Sequence, residues 1–187
     1  DSALLIGLIP AIHSVGWQFP QLFTAAWVAR ARRYKTLVMW TTVHERLPFL
    51  AMALVAWFLP QLGPNLALIL LFGLLIWQGI GGGLAANPWQ NMIGKIIPRD
   101  LHGTFYGVQA AGSNLLGGLA AVLSGLVLEK VGNPANYALC FLVAGLSMGV
   151  SYLFLAQTRE ESAPPLPPNP AASSLHGARD IIRSDGN

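Results

Sequence analysis

Five long apolar stretches, residues 4–29, 36–59, 66–86, 105–128 and 137–157, take up most of this chain. Each is long enough to cross a bilayer, because roughly 20 mostly apolar residues in a helix span about 30 Å of hydrocarbon. The runs are continuous and show no period-2 alternation, which excludes a β-barrel pattern and leaves helices as the spanning element. Charged residues are 10% of the chain and apolar ones 53%, against about 25% charged in a soluble domain. The expected fold is therefore all-α: a polytopic integral membrane bundle of about five transmembrane helices, with lipid as its solvent.

The charges between the spans set a topology. Arg30, Arg32, Arg33 and Lys35 fall in one connection, Lys95 and Arg99 in another on the same side by alternation, and Arg159, Arg179 and Arg183 in the tail. The opposite connections contribute only Lys130. The positive-inside rule then puts the basic side in the cytoplasm and the Asp1 end outside, in a plasma or inner membrane. This placement of basic residues accounts for a pI near 9.4 without nucleic acid as a partner. Residues 159–187 lose the apolar character: the run Pro164-Pro165-Leu166-Pro167-Pro168-Asn169-Pro170 cannot continue a helix, and the segment reads as a disordered cytoplasmic linker with a short amphipathic piece near its end. The chain opens at Asp1 and enters the membrane almost at once, which reads as a fragment. The single cysteine, Cys140, lies within the fifth span and is expected to pack as a small apolar residue.

Polar residues inside the spans are the candidates for function. Ser14, Gln18 and Gln21 fall within about 60° of one another on a helix and form one polar stripe. That stripe either lines a substrate path or bonds neighbouring helices. His13, about 80° from Gln21, joins the same cavity or packs as a hydrogen-bonding residue. Pro10 and Pro20 each remove a backbone bond from the first span. His44-Glu45-Arg46 followed by Pro48 sits in the second span, nearly at mid-membrane. Charges there cost about 2.5–3.5 kcal/mol each on insertion scales and call for a partner or an aqueous cavity. Adjacent residues point about 100° apart, so Glu45 and Arg46 are expected to meet different neighbours, in a structural or gating role. Gln109, Ser113 and Asn114 form a second polar cluster in the fourth span, positioned to meet the first-span stripe. Gly117, Ala121 and Gly125 offer a smooth face for close helix packing. Trp17 and Trp77 lie mid-span and read as packing residues. No P-loop, HExxH or CxxC motif occurs in the sequence, so a phosphate-binding site, a cofactor site and a metal site have no support.

Several segments resemble the amino-terminal half of a major facilitator superfamily transporter, from its second helix to its sixth. Arg32-Arg33 match the arginines of that family's basic loop between helices two and three, while Val28 and Ala31 replace its Asp and Gly. WQNMIGKIIPRDLHGTFYG, residues 89–107, is similar to the family's loop between helices four and five, with Pro98, Gly103, Phe105 and Gly107 matching and His102 in place of a common Arg. Of the antiporter Gly-Pro-x-x-Gly-Gly signature only Gly117-Gly118 remains. The resemblance implies a secondary transporter, not an enzyme, moving an unidentified small solute by alternating access, with a second six-helix half following Asn187 as its partner. On that reading Gln18, Gln21, Gln109 and Asn114 line the substrate cavity, and Glu45, Arg46, Arg32 and Arg33 gate it or pair within it. The rival class is a non-transporting membrane scaffold or a membrane-embedded enzyme acting on lipid, for which His44, Glu45 and Arg46 are the available ionisable cluster.

Overall fold

A computed structural model of the chain describes residues 2–161; the proline-rich run and the amphipathic piece beyond it lie outside those residues. The described chain is all helix and turn. Helix α1 (Ser2–Gln18) and helix α2 (Gln21–Val28) together make the first span, α3 (Tyr34–Trp57) the second, α5 (Pro64–Ile96) the third, α6 (His102–Lys130) the fourth and α7 (Ala135–Gln157) the fifth; a single turn, α4 (Leu59–Leu62), joins α3 to α5. Four of these spans are long and apolar enough to cross a membrane. Helix α3 has the length of a span but carries Lys35, His44, Glu45 and Arg46, and it occupies the middle of the bundle, between α5 and α7.

Each helix boundary has a local cause. The first span breaks at Phe19–Pro20, because proline has no N–H to donate and its ring crowds the preceding turn; Pro10 is carried inside α1 without ending it. Gly63 adopts φ 74°, a left-handed conformation open to glycine, and Pro64 follows at the first position of α5. Helix α5 continues ten residues beyond the expected end of its span, through much of the segment taken for a connecting loop. Nothing in Trp89–Ile96 stops it until Ile97, which is forced extended (ψ 129°) by the proline that follows. At 1.5 Å per residue its 33 residues run roughly 50 Å, so the helix projects past the hydrocarbon. A 3-10 turn, Arg99–Leu101, then leads into α6, and His102 Nε2 meets the Ile97 carbonyl at 2.9 Å to close the corner.

Two kinds of packing hold the bundle. At the basic end Val38, Met92, Ile93 and Leu155 form a buried cluster, flanked by Tyr34, Trp89 and Phe105. Further into the membrane the contact is backbone on backbone: Gly79 faces Gly16 of α1, and on the other side of α5 Gly81 lies against the main chain of His44 and Glu45. Lipid gives helices no hydrophobic reason to associate, so such close approach through small residues supplies the dispersion contact instead. The glycine face of α6 behaves differently. No described residue lies within 4 Å of where a side chain would begin at Gly117 or Gly125, and no residue of α6 is buried. The close partner expected for that face is not among the described helices.

Candidate functional site

Helices α1, α3, α5, α6 and α7 line an open cavity of about 520 Å³, within the range of about 300–1,000 Å³ usual for small-molecule sites. Its walls carry Glu45 and Arg46 from α3, Gln90 and Trp89 from α5, Gln109 from α6, Ser151 from α7 and Trp17 from α1. Helix α3 begins at Tyr34, which places Glu45 roughly 16 Å along the axis from the basic end. Thr158 also lines the cavity and follows directly on the end of α7 at that same end. The space therefore runs from mid-membrane toward the basic end.

The two adjacent charges have separate surroundings. Arg46 is tied to α7 and to its own helix: Nε donates to the Met148 carbonyl (3.2 Å), Nη1 to the Thr42 carbonyl (3.2 Å) and Nη2 to Ser151 Oγ (3.5 Å), while the guanidinium stands 5.6 Å from the centre of the Tyr152 ring. Among the described residues no hydrogen bond or ion pair reaches the Glu45 carboxylate, although Arg46 and His13 are near enough to act on it electrostatically. None of the fully enclosed side-chain oxygens in the described residues lacks a partner, so the Glu45 oxygens open toward the cavity. Trp17 stands beside it, its ring 2.7 Å from where a side chain at Gly82 would begin. Only glycine at 82 leaves room for that indole.

Other polar residues serve the helices. His13 Nδ1 lies 3.2 Å from Gln78 Oε1, a bond between α1 and α5 that requires the Nδ1–H tautomer, and Trp77 Nε1 donates to His44 Nδ1 at 3.3 Å. The break at Pro20 is repaired from two sides. The Gln21 amide donates to the Trp17 carbonyl at 2.8 Å, and Asn87 Nδ2 of α5 reaches the Gln21 carbonyl at 2.7 Å and Thr24 Oγ1 at 2.8 Å. Freed backbone groups in a membrane are commonly re-satisfied in this way.

At the basic end Glu160, just beyond α7, closes the bundle. Its carboxylate accepts the backbone N–H groups of Tyr34 (3.0 Å) and Lys35 (2.6 Å) at the start of α3, together with Lys95 Nζ of α5 (2.8 Å). Arg33, at the N-cap, makes no side-chain cap bond, so Glu160 does that work from a distance in sequence. Burial raises its pKa, but the Lys95 bond, the two backbone donors and the Lys95 charge outweigh it and hold the carboxyl below the ordinary range.

Of the residues singled out from sequence, Glu45, Arg46 and Gln109 share the cavity. Gln18 and Gln21 line a different groove with Ser14, about 470 Å³, along α1 and α2. Asn114 is exposed on α6, and Arg32 and Arg33 are exposed in the turn before α3. The two polar clusters of the first and fourth spans do not meet. Sequence reasoning missed Gln90, Ser151 and Trp17 as wall residues and Gln78, Asn87 and Glu160 as ties. Gln78, Asn87 and Gln90 carried a readable signal, being amides on one long apolar helix; Glu160 carried none, because its partners are more than 60 residues away.

No curated relative and no solved structure matches the chain. The family model described as the Major Facilitator Superfamily matches residues 1–186; this chain, a multi-pass helical bundle, belongs to that superfamily of membrane transporters.

Proposed function

We propose that this bundle is one half of a secondary transporter that moves a small solute by alternating access, and that the cavity lined by Glu45, Arg46, Gln109 and Ser151 is its share of the solute path. The observation that carries this reading is the cavity itself: ionisable and amide side chains facing shared space at mid-membrane, where they are costly unless water or a solute reaches them. A second bundle of the same kind completes the path. The faces that receive it carry Gln18, Gln21 and Asn114, amides that are poor company for lipid tails, together with the bare glycine face of α6. Rocking of two such bundles about a central site opens it to each side in turn. The basic end, where Arg32, Arg33, Lys95 and Glu160 gather, is the cytoplasmic gate in this scheme, following the positive-inside rule.

Thiol accessibility tests the reading. In a Cys140→Ser background, a cysteine at Gln109 is expected to react with a membrane-impermeant maleimide from both faces of sealed vesicles, at least tenfold faster than one at Val108, which is 68% exposed on the same helix and lies outside the cavity. Reaction from one face alone would reduce the cavity to a static pocket, and equal rates at positions 108 and 109 would remove the aqueous path.

A further inference from the structure

The chemistry of the cavity narrows the solute, given the transport reading above on which this step rests. We infer that the site takes an organic cation with an aromatic or apolar body, held by the Glu45 carboxylate and the faces of Trp17 and Trp89.

Charge decides the sign. Arg46 and Glu45 are neighbours in sequence, and a site using both would suit a zwitterion. The Arg46 guanidinium is already engaged: each of its three nitrogens donates to α7 or to its own helix, and it stands 5.6 Å from the centre of the Tyr152 ring. It acts as a bolt between α3 and α7. Glu45 has no hydrogen bond or ion pair among the described residues, and its oxygens are open to the cavity. A carboxylate that opens to a cavity within the membrane and has no partner among the described residues attracts a cation. The neighbouring His13 is bound to Gln78, and so does not fill that place.

The walls decide the body. Trp17 and Trp89 line the same space as Glu45, and indole faces attract cations through their quadrupole while also covering apolar surface. Gln90 and Gln109 add amide groups that accept or donate without net charge. No second cation faces the carboxylate from α5, α6 or α7 among the cavity-lining residues. An anionic solute would have to displace Arg46 from Met148 and Ser151 before it found a counter-charge.

Tetraphenylphosphonium and tetraphenylborate share a shape and differ in sign, which makes them the probes. Binding of each to the full chain in lipid nanodiscs is measured by equilibrium dialysis, with empty nanodiscs subtracted for partitioning into lipid. The expected result is saturable binding of the phosphonium, weakened at least tenfold by Glu45→Gln and retained by Glu45→Asp, with no saturable binding of the borate. Saturable borate binding as tight as the phosphonium, phosphonium binding unchanged by Glu45→Gln, or no saturable phosphonium binding would overturn the inference. Should the Gln variant not fold, the comparison of the two ions on the unaltered chain still decides. A cysteine at 109 labelled from both faces, combined with ions bound alike, rejects the cation class and leaves the transport path standing; an unlabelled cysteine rejects both.

Discussion

Replacing Glu160 with alanine removes a clamp that joins three helices at once. Two of the four N–H groups left open at the start of α3 lose their acceptor, and loss of a cap of this kind costs about 0.5–2 kcal/mol. Lys95 loses its carboxylate as well. The pair is well shielded, with Glu160 1% and Lys95 23% exposed, and a hydrogen bond to a charged group contributes about 1.5–3 kcal/mol. Lys95 keeps the Glu161 carbonyl and the face of Tyr34, 5.7 Å away, so the lower half of that range applies. The sum is roughly 2–4 kcal/mol, or about 4–16 °C in midpoint for a domain of this size. Heating detergent-solubilised protein in steps and measuring the surviving monodisperse peak by size exclusion reads that shift. Glu160→Gln retains one acceptor oxygen and should lose about half as much. Its pH dependence fixes the sign: a carboxyl depressed in the folded state contributes fully above its unfolded pKa of about 4.3 and loses that contribution as pH falls through the folded value. The gap between unaltered protein and the Gln variant is therefore constant from about pH 8 to 5 and closes only below about 4. An alanine variant within 1–2 °C of the parent, on the order of half a kcal/mol, would refute the clamp.

Two glycines give opposite signs for the same change. Gly81→Ala drives a methyl group into the His44 and Glu45 main chain, where no side chain can yield, and should cost about 1–3 kcal/mol as overpacking; Gly117→Ala meets nothing within 4 Å and should be neutral or stabilising by up to about 1 kcal/mol. Matching midpoints for the pair by the same heating assay would contradict the packing described at α3 and α5. Asn87→Leu strips both bonds that secure the Pro20 break, for about 1–3 kcal/mol at the values measured for polar contacts between membrane helices. Faster protease cutting near residue 20 should accompany it, and an unchanged cleavage rate would mean that the Gln21 amide alone suffices.

The membrane fold was legible because long apolar runs admit few structures; proline was a weaker signal, since Pro20 marks a break while Pro10, Pro48 and Pro88 are carried inside helices. The reach of α5 was less legible. Composition turns polar after Ala86 and Pro88 follows, which together suggest a loop, but α5 carries Pro88 inside it and runs on to Ile97, which Pro98 holds extended. Adjacency on a helix turns Glu45 and Arg46 about 100° apart; Arg46 bonds to α7 and to its own helix, while Glu45 bonds to none of the described residues. Which neighbour each would meet required the packing order of the helices, and that order is set by glycines whose partners are distant in sequence.

Polarity within a span therefore has two meanings in this bundle, and bonding separates them. Gln21, Asn87, His13, Gln78 and Arg46 each spend their hydrogen-bonding groups on a backbone break or on a neighbouring helix, and for these the structural account is sufficient. Glu45 and Gln109 share a cavity and have no such use among the described contacts. A residue that destabilises its own span on insertion and returns no cross-link must be retained for something outside the bundle's own packing. That asymmetry, more than the position of any one polar residue in the sequence, singles out Glu45: its neighbour Arg46 has the same depth and an equal insertion cost, yet each of its nitrogens bonds to α7 or to its own helix.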